Sequence, residues 1–254
     1  MYLMLGTRPD IAYAVGRFAR FAHDPSKDHF KAVGRLFSYV NATKHFGIMY
    51  TKTMDETYSI LPSGSCDADF AGELAKGHRR KSTSGYIFHM AGAPFSWSSK
   101  LQKTIAHSTM EAELIALDAT ARQAAWTRNI FEAIGLPFED ALDIYCDNEA
   151  TIQVAKGEGS HEAKKHIDKD YFYVLELVEK NLVEMNYVES KSNEADILTK
   201  RLTGQTFARG LELIGFSGSE DYISSLRTSP VSSSSSNTPN PDISSISVYV
   251  DAQD

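Results

Sequence analysis

The stretch Ser108-Thr109-Met110-Glu111-Ala112-Glu113-Leu114 begins the longest helical pattern in the sequence, which continues to about residue 134. Ser108 or Thr109 can cap the helix, because a side-chain hydroxyl there accepts a hydrogen bond from a free amide of the first turn. Glu111 follows Ser108 at the spacing of a capping box, and Gly135 is a typical C-terminal stop. We therefore predict a helix that carries two glutamates in its first turns.

Short β-rich segments separated by Gly, Lys and Arg precede this helix, and they indicate three strands in a meander. Their approximate bounds are 58–69, 84–90 and 95–101. After the helix the pattern predicts a strand at 142–146, helices at 150–156 and 163–180, a strand at 182–188, and helices at 194–201 and 207–214. This order predicts an α/β fold in which a mixed five-stranded sheet is flanked by helices.

The two ends of the chain differ from this central region. Residues 1–50 carry apolar side chains at helical spacing in two runs, which predicts a two-helix segment. Residues 217–254 contain a serine run followed by Pro, Asn and Asp, a composition that cannot offset the entropy of ordering and predicts a disordered tail. We accordingly expect three parts, at 1–50, 56–216 and 217–254.

Composition restricts the class of protein only weakly. The chain has 254 residues, a formal net charge of −7 and two cysteines. Two cysteines are too few for a disulfide framework, so a reduced, intracellular protein is expected. The sequence shows no signal peptide and no apolar run of about 20 residues, which predicts that the protein does not enter a membrane. The acidic balance does not indicate a nucleic-acid binder, but a site built from carboxylates also adds acids that metal ions neutralise.

Acidic residues lie at the ends of predicted strands and the starts of predicted helices. They are Asp67, Glu113, Asp147 and Asp196. A lone aspartate at such a position is more often a turn former or a helix cap. In an open α/β sheet, however, sites gather where strands end and helices begin, so acids from several elements can converge. Such carboxylates would repel one another unless hard divalent cations such as Mg²⁺ or Mn²⁺ lay between them.

The residues around these acids resemble the ribonuclease H domain of copia-type retrotransposon Pol polyproteins. The resemblance covers about residues 1–216, of which the first 50 resemble the end of the reverse transcriptase region. The motifs that carry it are Asp67-Ala68-Asp69-Phe70, Arg80-Lys81-Ser82-Thr83-Ser84-Gly85-Tyr86, Ser96-Trp97-Ser98-Ser99-Lys100-Leu101-Gln102, Ser108-Thr109-Met110-Glu111-Ala112-Glu113, Tyr145-Cys146-Asp147-Asn148, Lys165-His166-Ile167-Asp168 and Ala195-Asp196-Ile197-Leu198-Thr199-Lys200.

This resemblance implies a ribonuclease H-like fold and hydrolysis of the RNA strand of an RNA–DNA hybrid with two Mg²⁺ or Mn²⁺ ions. It maps the catalytic, metal-binding acids onto Asp67, Glu113, Asp147 and Asp196. Asp67 would bridge both ions, Glu113 and Asp147 would hold one, and Asp196 the other. Two choices stay open: Glu111 competes with Glu113, and Asp69 competes with Asp67. The resemblance also implies a partner, the upstream reverse transcriptase domain. The expected localisation is the cytoplasm, within a virus-like particle, or the nucleus.

Contacts with the nucleic acid need cations near the phosphates. The candidates form a basic run between the first two strands and a pair near the third strand. They are Arg79, Arg80 and Lys81 in the run, then Lys100 and Lys103. A solvated loop is an equally good reading of such a run. Distinguishing RNA from DNA requires contact with 2′-hydroxyl groups, for which Asn148 is the candidate.

Some features of the family are absent from the sequence. The paired aspartates of a polymerase active site are missing, so we expect no DNA synthesis by this chain. The short link Glu189-Ser190-Lys191-Ser192-Asn193 lacks the histidine that many ribonucleases H carry before the last acid. Because the chain begins within a family motif, we expect a truncated gene copy or a gene-model fragment. The alternative functions are therefore an inert remnant and a co-opted nucleic-acid-binding module.

Overall fold

The computed structural model describes residues 1–50, 61–72, 80–158, 168–218, 220, 221, 223 and 224. The chain divides into two compact units, the first formed by residues 1–49 with 201–254 and the second by residues 50–200. In chain order the elements are α1 (Tyr2–Gly6), α2 (Ala12–Ala19), α3 (Lys27–Ala42), β1 (Gly47–Ile48), β2 (Ser63–Asp69), β3 (Thr83–Met90), β4 (Ala93–Leu101), α4 (Thr109–Ala133), β5 (Leu142–Cys146), α5 (Glu149–Ala155), α6 (Asp168–Glu179), β6 (Val183–Tyr187), α7 (Asp196–Thr199), α8 (Gly204–Leu213) and β7 (Phe216–Ser217).

The second unit contains a five-stranded mixed sheet in the order β4-β3-β2-β5-β6. Strands β2, β3 and β4 form the predicted antiparallel meander, and β5 and β6 join it in parallel. The predicted fold class, a mixed five-stranded sheet flanked by helices, is confirmed. The predicted start of the first strand, and residues 163–167 of a predicted helix, lie outside the described residues.

Helix α4 starts where the sequence predicts. The Ser108 hydroxyl accepts a hydrogen bond from the backbone amide of Glu111 at 3.1 Å. The helix packs its apolar side chains against side chains of the central strands, which include Cys66 of β2 and Ile144 of β5. The shared core includes Phe88, Leu114, Leu117 and Ile144.

The first unit is built around a buried ion pair. The Arg8 guanidinium donates to Asp10 through Nε at 2.9 Å and Nη2 at 2.7 Å, and Tyr39 donates its hydroxyl to Asp10 at 2.6 Å. Arg8 also donates to the carbonyl and the hydroxyl of Thr43. Burial opposes the charge of Arg8, but the bond and charge of Asp10 outweigh it and raise the arginine pKa. The paired charges tie the start of the chain to α3.

The helix predicted at 207–214 lies in the first unit. The sequence had predicted that it belongs with residues 56–216. Its Phe207 ring packs edge-on against Tyr39 at 5.8 Å. Strand β7 also pairs with β1, a two-stranded sheet that the sequence did not predict. Two-residue strands are too short to show a period-two pattern.

No helix in the described ranges is long and apolar enough to cross a lipid bilayer. The serine-rich part of the predicted tail lies beyond the described residues.

Candidate active site

The sheet brings two of the four acids to one edge. Asp67 is near the end of β2, and Asp147 directly follows β5. The two strands are parallel neighbours in which Ser65 lies opposite Tyr145, so their carboxyl ends share an edge. This is the edge at which open α/β sheets place their sites.

Helices deliver the other two acids. Glu113 belongs to the first turns of α4, and Asp196 is the first residue of α7. Carboxylate oxygens of Asp67, Asp147 and Asp196 lie within 4.8 Å of one another. Glu113, Cys146 and Asp147 form a second group with the same spacing. Asp147 belongs to both groups, so all four predicted acids meet at one place.

A glycine permits the approach of α7. Gly85 lies opposite Asp67 in the β2–β3 pair. A Cβ atom added there would lie 2.6 Å from Thr199 Cγ2 and 2.9 Å from Leu198 Cβ, closer than atoms pack. A larger residue at Gly85 would push α7 away from β3, so the absent side chain lets Asp196 lie beside Asp67.

The carboxyl groups resist ionisation. Burial, followed by the charges of Asp67, Cys146 and Asp147, raises the pKa of Glu113 to about 10. Glu113 is 5% exposed, and its Oε2 atom has no hydrogen-bond partner among the described residues. Burial also raises the pKa of Asp67, which is 2% exposed. Too much like charge is therefore concentrated in a volume that water hardly reaches.

A lysine supplies part of the missing positive charge. Lys200 Nζ lies 2.8 Å from Asp196 Oδ1 and 3.5 Å from Asp67 Oδ2. Burial opposes the lysine charge, but Asp67 and Asp196 outweigh it and raise the pKa of Lys200. The Thr199 hydroxyl donates to Asp67. Burial and the charge of Asp67 still raise the pKa of Asp196 to about 6, so one ammonium does not balance the cluster.

The geometry distinguishes Glu111 from Glu113, and Asp69 from Asp67, the two choices that the sequence left open. The Glu111 carboxylate accepts a hydrogen bond from the backbone amide of His107 at 2.6 Å, at the start of α4, and stands outside both groups. The Asp69 carboxylate lies against Gly72, in the turn after β2. Glu113 and Asp67 are the members of each pair that join the carboxylate groups.

The predicted basic residues meet at one edge of the sheet, except Arg79, which lies outside the described residues. Lys81 donates through Nζ to the backbone carbonyl of Lys103 at 2.6 Å, and Lys100 lies opposite Ser84 at the start of β3. Arg80, Lys100 and Lys103 are exposed. These four residues, the basic patch, lie at the end of β4 and the start of β3, level with the last residues of β2.

Asn148 caps α5. Its side-chain oxygen accepts a hydrogen bond from the backbone amide of Thr151 at 3.0 Å. That oxygen is engaged within the chain, and the amide nitrogen is the atom that this bond leaves to other partners.

Several residues of the site were not predicted from the sequence. Lys200, Thr199 and Gly85 lie inside quoted motifs, but their contacts depend on the packing of α7. One signal pointed to Lys200, because it follows Asp196 by four residues, the spacing at which opposite charges meet on a helix.

Asn193 anchors the loop before α7 by donating to the Cys66 carbonyl at 2.8 Å. Beside it, His89 lies 3.0 Å from Glu194.

Sequence comparison finds close relatives among transposon polyproteins. The chain is 35% identical over 215 residues to the retrovirus-related Pol polyprotein from transposon TNT 1-94 of Nicotiana tabacum, which covers 85% of the chain and 16% of that protein. It is 33% identical over 209 residues to the corresponding polyprotein from transposon RE1 of Arabidopsis thaliana, covering 82% of the chain and 14% of that protein. The chain thus spans about a sixth of these relatives' length. No family model matches the chain.

Two solved structures resemble part of the chain. The N-terminal RNase H domain from Mycobacterium tuberculosis, solved as a fusion with maltose-binding protein, has a TM-score of 0.41 and 16% identity, covering 56% of this chain and 91% of that one. LC11-RNase H1 in complex with an RNA/DNA hybrid has a TM-score of 0.40 and 12% identity, covering 54% and 93%.

Proposed function

The chain belongs to the retrovirus-related Pol polyproteins from transposons, and on that premise we propose that its second unit is a metal-dependent ribonuclease H that hydrolyses the RNA strand of RNA–DNA hybrids. One observation carries the proposal: acids from four separate elements converge, in two groups that share Asp147. Structural carboxylates rarely collect in this way, because each one raises the cost of ionising the others.

The residues fit hard divalent cations. Glu113 Oε2 is buried without a hydrogen-bond partner in the described part of the chain, so a ligand is missing on its side. Oxygen ligands suit Mg²⁺ or Mn²⁺, and Asp67, Glu113, Asp147 and Asp196 would hold them. When bound, such ions activate water and stabilise the leaving oxygen in phosphodiester cleavage. Asp147 belongs to both groups, and the bridging role that the family resemblance gives to Asp67 stays a prediction.

The neighbouring residues orient these acids. Thr199 and Lys200 fix the Asp67 and Asp196 carboxylates through the contacts of α7. Lys200 also reduces the repulsion between them, which lowers the cost of keeping both ionised before substrate arrives. Proper placement matters because small displacements of reacting groups cost large factors in rate.

The basic patch supports the proposed substrate. Arg80, Lys81, Lys100 and Lys103 lie at the end of β4 and the start of β3, level with the last residues of β2, where they can contact phosphates of a bound hybrid. Asn148, next to Asp147, is proposed to contact a 2′-hydroxyl group through its amide nitrogen. We propose that the first unit belongs to the end of the reverse transcriptase region. The reverse transcriptase domain expected upstream is the proposed partner.

The test is cleavage of a labelled RNA–DNA hybrid with Mg²⁺ or with a chelator. We expect metal-dependent cutting, and a loss on the order of 10³-fold in Asp147→Asn, because removing several kcal/mol of charge stabilisation costs a factor of ten per 1.36 kcal/mol. Asp143→Asn is the control. Asp143 lies on the same strand about 13 Å away and bonds Asn186, so activity should persist.

Two other results identify the alternatives. Hybrid binding without cutting in the unaltered chain would favour a binding module. Absence of both, in a folded sample, would favour an inert remnant. Equal activity of the Asp147→Asn and Asp143→Asn proteins would overturn the proposed site.

A further inference from the structure

Both cysteines of the chain lie beside the carboxylate groups. Ser65 is opposite Tyr145 in the parallel β2–β5 pair, so the next residues of the two strands are Cys66 and Cys146. Both are fully buried and unoxidised. A hydrogen bond between the two thiols, together with burial, raises the pKa of Cys66 well above its ordinary value. The chain therefore places a pair of adjacent sulfur atoms at the site.

One sulfur also faces the acids. The Cys146 Sγ atom and carboxylate oxygens of Glu113 and Asp147 lie within 4.8 Å of one another. The Glu113 side chain is more than nine-tenths buried, and its Oε2 atom lacks a hydrogen-bond partner among the described residues. An unpartnered buried oxygen next to a thiol indicates a ligand at this place, because an unmet buried acceptor is costly.

We propose that Cys146, Glu113 and Asp147 form a binding site for a thiophilic divalent cation such as Zn²⁺, in which a water molecule would complete the four-ligand shell. Zinc takes four ligands and accepts both cysteine sulfur and carboxylate oxygen. Sulfur favours such soft or borderline cations over Mg²⁺, which prefers oxygen. Binding forms one metal–sulfur bond to Cys146, the thiol proton and the proton held by the Glu113 carboxyl pass to solvent, and no electrons are transferred.

The consequence is inhibition by zinc. Glu113 and Asp147 would serve both this site and the hard-cation site, so Zn²⁺ would occupy half of the active centre with a sulfur ligand that cleavage does not use. Inhibition of cleavage by zinc rests on the proposed function, whereas zinc binding does not. Zinc should therefore block Mg²⁺-driven cleavage in the unaltered chain more strongly than in Cys146→Ser.

Cadmium provides a direct reading of the sulfur ligand. The folded chain is titrated with Cd²⁺ while the thiolate-to-cadmium charge-transfer absorption is recorded, and any signal must come from Cys66 or Cys146, since the chain has no other cysteine. We expect a saturable signal that is lost in Cys146→Ser and retained in Cys66→Ser, which leaves the group of Cys146, Glu113 and Asp147 intact. Asp196→Asn is the control: it removes a carboxylate from the other group and should keep the cadmium signal while losing cleavage.

X-ray absorption of the zinc-loaded, unaltered chain keeps the test decisive if a serine variant misfolds. We expect sulfur in the zinc shell at about 2.3 Å. A shell of oxygen and nitrogen alone, or a cadmium signal unchanged in Cys146→Ser, overturns the proposal. A sulfur signal in a chain that fails to cut hybrid under Mg²⁺ would instead uphold this site and refute the proposed function.

Discussion

The two units bury charge in opposite ways. In the first unit, Asp10 is fully buried and receives hydrogen bonds from both Arg8 and Tyr39, so its charge is matched by a guanidinium and its oxygens are satisfied. In the second unit, Asp67 and Glu113 are nearly as buried. Lys200 lies near Asp67 and Asp196, whereas burial and neighbouring negative charges dominate at Glu113. One unit balances its buried charge internally, and the other keeps an excess.

This difference indicates which buried acids support the fold and which serve binding. A matched pair resists the removal of either member, because the remaining charge would be left alone in a dry environment. An unmatched carboxylate destabilises the fold until a cation arrives. The same residue type therefore has opposite effects on the free energy of unfolding in the two units.

The largest effect is expected in the first unit. Asp10→Asn leaves the Arg8 guanidinium buried without its counter-charge and should lower the free energy of unfolding by about 3–5 kcal/mol. Denaturant unfolding measures this change. Asp28→Asn, which breaks the exposed pair with Lys31, should leave stability unchanged. If Asp10→Asn lowers the free energy of unfolding no more than Glu113→Gln does, the contrast between the two units is wrong.

A second effect tests the seating of α7 in the second unit. Gly85→Ala should displace α7 and with it Asp196, and should reduce hybrid cleavage by about 10²-fold, the factor typical of a 1 Å misplacement. The measurement is the cleavage rate, with circular dichroism to show that the fold persists. Full activity in the variant would mean that the close approach at Gly85 does not position the acids.

The pH dependence of the metal-free protein gives a smaller, signed effect. Glu113 and Asp196 have folded pKa values of about 10 and about 6, above their ordinary values of 4.5 and 3.8. The folded state therefore holds more protons, so stability should fall as pH rises from about 4, by roughly 1 kcal/mol per pH unit for each extra proton, with both groups contributing up to about pH 6 and Glu113 alone up to about pH 10. Urea unfolding in chelator should show this slope. Glu113→Gln and added Mg²⁺ should both flatten it, and a slope of opposite sign would contradict the excess of carboxylate charge.

The smallest effect uses a glycine in open space. Gly34 lies exposed within α3, and a Cβ atom there would meet nothing within 4 Å. Gly34→Ala should therefore raise the free energy of unfolding by about 0.4–1 kcal/mol by restricting the unfolded chain. The same substitution is thus expected to help at Gly34 and to harm at Gly85. Thermal unfolding of both variants compares them directly.

Much of the second unit could be predicted, because its signals are local. Alternation and apolar spacing indicated the meander and α4, and the cap at Ser108 marked where that helix begins. The smaller sheet of β1 and β7 could not be predicted, since its partners are far apart in sequence and each strand is only two residues long. The place of α8 in the first unit could not be predicted either, because its contact with Tyr39 joins residues that are far apart in sequence.

The site shows the same division. Sequence alone placed four acids at element boundaries, and a family resemblance selected them, but spacing could not separate Glu111 from Glu113. Only packing shows that one glutamate binds a helix-start amide while the other points to the acids. The position of Lys200 between Asp67 and Asp196, and the thiol of Cys146 beside Glu113, likewise appear only in three dimensions.

The sequence by itself determined the order of the elements, the start of α4 and the acidic residues at strand ends, because periodicity, capping and turn chemistry act between residues close in the chain. The tertiary structure decided which acids share a centre, which cation balances them and which sulfur joins them. Those outcomes depend on strand order, on the β2–β5 register and on the close approach of α7 at Gly85, which are set by long-range packing.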